Sequence, residues 1–62
     1  MRKPKVKPIE NDGNIFNLLG LCTKALRKIG GHAEAVQLQK MIAMSSTWEE
    51  AMMILLEYCE IE

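Results

Sequence analysis

The side chains able to do chemistry are few. His32 is the sole histidine, and it follows Gly30-Gly31 at a helix start. A general base or a metal ligand there needs partners at suitable spacing, and the sequence offers none. Cys22 and Cys59 are the two thiols. A cysteine nucleophile requires an electropositive, accessible setting. Both cysteines instead fall on apolar stripes, where a free cysteine acts as a small hydrophobe. Glu60 beside Cys59 also opposes thiolate formation. Glu49 and Glu50 are adjacent and sit where helix caps belong, not as an acid–base pair. Gly30-Gly31 lacks the Lys-Ser/Thr that completes a phosphate-cradling loop. These residues predict no catalytic centre, no metal site, no cofactor and no enzyme activity.

Charge is the second kind of chemistry. Eight basic and eight acidic residues sum to zero, which excludes a uniformly basic nucleic-acid coat. The zero is made of separated parts. Arg2, Lys3, Lys5 and Lys7 crowd the N-terminus, whereas Glu49, Glu50, Glu57, Glu60 and Glu62 follow Ser45 with no Lys or Arg among them. A helix-turn-helix reading would make the last helix the recognition helix, and phosphate repulsion opposes that. The basic arm could still touch phosphates or reach a minor groove. A regulator contacting nucleic acid through Arg2, Lys3, Lys5 and Lys7 is therefore the alternative function. Inhibition of a host defence protein, with the last helix's acids mimicking nucleic acid, is a related one.

Apolar content points elsewhere. Hydrophobic residues make up 48% of the chain, and all but Met1, Val6 and Ile9 lie between Ile15 and Ile61. A domain of this size buries only roughly 60% of its unfolded surface. Phe16, Leu21, Met53, Ile54 and Ile61 fall outside the main helical stripes and are the candidate partner-binding residues. The expected function is a small protein-interaction module that docks through an apolar helix face. The partner is another protein or a second copy, with first-helix cations facing last-helix carboxylates.

The elements that must position these residues are helices. Ile15, Leu18, Leu19, Cys22, Ala25, Leu26 and Ile29 recur at helical spacing. Asn14 or Asp12 is available as N-cap and Gly30 as the left-handed residue past the end. A second helix carries two apolar groups, one centred on Leu38 and Ile42, the other on Val36 and Met44. The third has two overlapping capping boxes, Ser46 with Glu49 and Thr47 with Glu50. Its broad apolar face runs from Trp48 through Ala51, Met52, Leu55, Leu56 and Tyr58 to Cys59. The spacing predicts helices over 14–29, 32–44 and 47–60, an all-α three-helix bundle over 14–62. Residues 1–13, with Pro4 and Pro8, read as an extended arm that lies on the domain through Val6 and Ile9.

Asn11-Asp12-Gly13-Asn14-Ile15-Phe16-Asn17-Leu18-Leu19-Gly20, with Trp48-Glu49-Glu50-Ala51, resembles short helical proteins encoded in bacterial phage and integrative elements. The resemblance implies a mobile-element origin and carries no catalytic residue across. The longest apolar run, Ala51 to Leu56, falls far short of the roughly 18 to 20 residues of a membrane span. The basic N-terminus lacks the apolar region of a secretory signal. The expected location is the cytoplasm, with reduced thiols.

Overall fold

The computed structural model describes residues 3–8 and 14–62. It contains three helices, α1 (Ile15–Lys28), α2 (His32–Ala43) and α3 (Trp48–Tyr58), and two short strands, β1 (Lys5–Val6) and β2 (Glu60–Ile61). Each helix packs on the other two, so the expected three-helix bundle is the fold. Arg2, Ile9 and the alternative cap Asp12 lie outside the described residues.

Local chemistry sets the helix ends. Asn14 is extended and its side-chain oxygen accepts from the Phe16 N–H at 2.9 Å. Past the end of α1, Gly30 has φ +83°. Its N–H donates to the Arg27 carbonyl at 3.1 Å, and that of Gly31 to the Leu26 carbonyl at 2.7 Å. These are the two bonds of a Schellman motif, which requires a left-handed residue at Gly30. For α3, the Thr47 hydroxyl accepts from the Glu50 N–H at 3.1 Å. The Glu50 carboxylate accepts from the Ser46 N–H at 3.3 Å. The box thus pairs Thr47 with Glu50 but closes one residue outside the cap.

The core follows narrower stripes than the sequence pattern suggests. From α1 come Leu18, Cys22 and Leu26, from α2 Ala35, Leu38 and Ile42, and from α3 Ala51 and Leu55. Thr23 is buried with them because its hydroxyl donates to the Gly20 carbonyl at 3.1 Å, so no polar group is stranded. Ile29 departs from its expected core position. It is the C-cap of α1, where the chain has already left helical geometry, and it is largely exposed. On α2 the Val36 and Met44 group faces outward. Trp48 and Leu56, expected on the inward face of α3, are also about half exposed.

The C-terminus corrects the expected helix boundary at residue 60. The helix ends at Tyr58, and Cys59 is extended with φ −140° and ψ 153°. In a continuing helix the Glu60 N–H would donate to the Leu56 carbonyl. Instead the Glu60 N–H goes to the Pro4 carbonyl at 2.9 Å. The Leu56 carbonyl is satisfied by the Lys3 ammonium at 3.0 Å. The arm therefore competes for the last turn and wins two of its groups. Strands β1 and β2 run parallel, with Lys5 opposite Glu60 and Val6 opposite Ile61. Val6 faces the core and Lys5 faces outward, so the described residues 3–8 lie against the domain through Val6. The second strand was not anticipated, because a two-residue segment carries no periodicity.

Candidate functional site

A concave surface lies at one end of the bundle. The antiparallel path of α1 and α2 brings the start of α1, the end of α2 and the start of α3 together. Ile15, Phe16 and Leu19 line a cleft from α1, and Gln39, Ile42 and Ala43 from α2. Ser45, Ser46 and Thr47 of the turn complete it with Trp48 and Ala51 of α3. Its volume is about 370 Å³, within the small end of the range of natural binding pockets. No lining residue carries a charge.

Two rings stand at the cleft. Phe16 is 79% exposed and Trp48 is 51% exposed. They are the only phenylalanine and the only tryptophan of the chain. Each sits in the first turn of its helix, Phe16 in α1 and Trp48 in α3. Tyr58, the remaining aromatic, is committed inside, its hydroxyl donating to the Met41 sulfur at 3.3 Å. Met44, 82% exposed, follows directly after the cleft residue Ala43. The cleft walls are fixed by bonds already made: Ser45 Oγ donates to the Ile42 carbonyl at 2.6 Å, and Thr47 and Ser46 are held in the cap of α3.

Of the five expected partner-binding residues, one lines the cleft. Phe16 lines the cleft and Met53 is exposed on α3, outside it. Leu21, Ile54 and Ile61 are partly buried against the core, so they supply packing more than open surface. Trp48, Ala43 and Met44 are the surface residues the sequence pattern missed. A usable signal was present: in an antiparallel hairpin the starts of α1 and α3 share one end, and both starts carry a ring.

The expected nucleic-acid arm is occupied in part. The Lys3 ammonium donates to the Leu56 carbonyl. Lys5 and Lys7 are exposed, and Lys5 stands opposite Glu60 in the strand register. Arg2 lies outside the described residues.

The two cysteines are free, fully buried and adjacent. The Cys59 thiol donates weakly to the Cys22 carbonyl at 3.8 Å. Burial pushes the Cys22 thiol far above its ordinary range, and the contact with Cys59 adds to this. Burial also raises Cys59, opposed by its bond with Cys22 and by the Lys3 ammonium. Both thiols are therefore protonated at neutral pH and out of reach of solvent. Among the described residues no group of three or more His, Cys, Asp or Glu side chains is placed to hold a metal. No helix among them is long and apolar enough to cross a membrane. Compared with known proteins, the chain matches no family model, and it matches no curated protein and no solved structure at a significant level.

Proposed function

We propose that this protein is a non-enzymatic interaction module that binds another protein by taking an apolar side chain of the partner into the Phe16–Trp48 cleft. One observation carries the reading. The chain's only Phe and only Trp are both exposed, and both stand at one uncharged cleft. Exposed rings around a pocket are the usual anchors of protein contact, since they bury large area at little entropic cost. The alternatives have less support. A nucleic-acid contact through Arg2, Lys3, Lys5 and Lys7 would form close to Glu60 and Glu62, with Lys3 already bonded to the Leu56 carbonyl and Arg2 outside the described residues. A mobile-element origin and a cytoplasmic setting agree with this reading but do not carry it.

The test is selection of peptides from a random display library on the intact chain. Recovered peptides should share an apolar anchor and lose binding to the Phe16→Ala/Trp48→Ala double variant. A circular dichroism spectrum and a urea melt of the variant check that its fold is kept. Peptides that bind the variant as well as the parent would place recognition elsewhere and refute the proposal.

A further inference from the structure

The outer faces of α1 and α3 carry opposite charge. The charged residues of α1 are Lys24, Arg27 and Lys28, all cations, and those of α3 are Glu49, Glu50 and Glu57, all anions. All six are exposed. At the helical repeat, Gly20, Lys24 and Arg27 share an arc of roughly 60° on α1, and Glu49, Met53 and Glu57 share one of roughly 80° on α3. Nothing among the described residues calls for a glycine at position 20. It lies in mid-helix, where glycine weakens a helix. Its φ is not left-handed, as that of Gly30 is, and an added Cβ would meet nothing within 4 Å. Its bare backbone is a notch in the basic face. Met53, 68% exposed, is an apolar knob in the acidic one.

We infer that the basic face of α1 receives the acidic face of α3 from a second copy of the chain, with Met53 seated on Gly20. Rows of residues four apart, Gly20–Lys24 on one helix and Glu49–Met53–Glu57 on the other, are the ridges that interdigitate in the commonest helix packing. The two helices run antiparallel. That direction brings the basic last turn of α1 to the acidic first turn of α3 and opposes the helix dipoles. A parallel pairing would carry the same cations toward Lys3, whose ammonium lies on the Leu56 carbonyl. One step along the ridges from the Gly20–Met53 contact, Lys24 meets Glu49. Exposed ion pairs are individually weak, so charge sets the partner and its direction, and apolar contact at the notch supplies affinity. The two faces differ, so the contact is heterologous, and every bound copy leaves one face of each kind free. This inference does not use the docking function proposed above, and either can fail alone.

Sedimentation velocity of the full chain over a rising concentration series tests it. At low ionic strength the average mass should climb with concentration and not level off at a dimer, and added salt should lower it. Gly20→Gln fills the notch and should weaken association about tenfold or more, while its melting temperature in dilute solution stays at or above the parent's. Met53→Lys should weaken it as well, because it sets a cation beside Lys24. Mixed together, the two variants should form a one-to-one dimer, since the first keeps an intact α3 face and the second an intact α1 face. Adding Lys24→Glu to the second should weaken that dimer, and Glu49→Lys in the first should restore it. A parent that stays monomeric throughout the series would overturn the inference. So would association that Gly20→Gln leaves unchanged, or two variants that remain monomeric when mixed. Failure of Glu49→Lys to restore the dimer would overturn the antiparallel register.

Discussion

The same substitution, glycine to alanine, should have opposite signs at Gly20 and Gly30. Gly20 lies in the middle of α1, exposed, and an added Cβ would meet nothing within 4 Å. Alanine there restricts the unfolded chain and suits the helix, a gain of about 0.8–1.0 kcal/mol. The Thr23 hydroxyl bond to the Gly20 carbonyl is untouched by a new side chain. Gly30 also has open space around it, but its φ is +83°. The cost there is backbone strain alone, about 1–2 kcal/mol for an L-residue in left-handed geometry. The two variants should therefore differ by roughly 2–3 kcal/mol. At about 4–8 °C per kcal/mol for a domain of this size, their melting temperatures should lie on opposite sides of the parent. Thermal and urea unfolding followed by circular dichroism reads both. Two shifts of the same sign would mean that α1 does not end in a left-handed Gly30, and the path into α2 would be wrong.

Other outcomes test the core, the cap and the thiols. Leu55 is fully buried and its neighbour Leu56 is 47% exposed. Leu55→Ala should cost roughly 2–5 kcal/mol and Leu56→Ala about 1 or less in urea melts, and equal losses would put α3 in the wrong rotation. Thr47→Ala should cost about 1 kcal/mol by losing the side-chain cap. Ser46→Ala should be nearly silent, because only the Ser46 backbone serves the box. Alkylation of Cys22 and Cys59 should be slow in the folded chain and fast in denaturant; fast reaction of the folded protein would contradict their burial. An acid whose pKa is raised by folding holds its proton longer in the native state. Stability should therefore fall as pH climbs above about 9.0, the ordinary thiol value. A Cys22→Ala variant should lose less stability over that range.

The helices were legible because several local signals agreed on each. Asn14, Gly30 and Thr47 each bring a side chain or a backbone freedom that ends a helix, and the stripe of α1 reads directly as Leu18, Cys22 and Leu26. Periodicity fails where geometry depends on distant groups. The end of α3 at Tyr58 is set by Lys3 and Pro4, more than fifty residues away, and no window around Tyr58 contains that information. The site was half legible. Phe16 stood out as an apolar residue off its stripe. Trp48 did not, because a ring at a helix start falls on the same stripe as the core residues Ala51 and Leu55, yet it is about half exposed. Leu21, Ile54 and Ile61, which a helical wheel leaves at the margin, pack in part against the core.

The cleft has a built-in reporter, since Trp48 is the chain's single tryptophan and forms part of its lining. A fluorescence titration with a peptide recovered from the display library tests the proposed docking most directly. The account predicts a saturable shift of Trp48 emission to shorter wavelength as water leaves the ring, and loss of that shift in Phe16→Ala. Peptide binding that leaves the Trp48 emission unmoved, or an identical shift in Phe16→Ala, would contradict it.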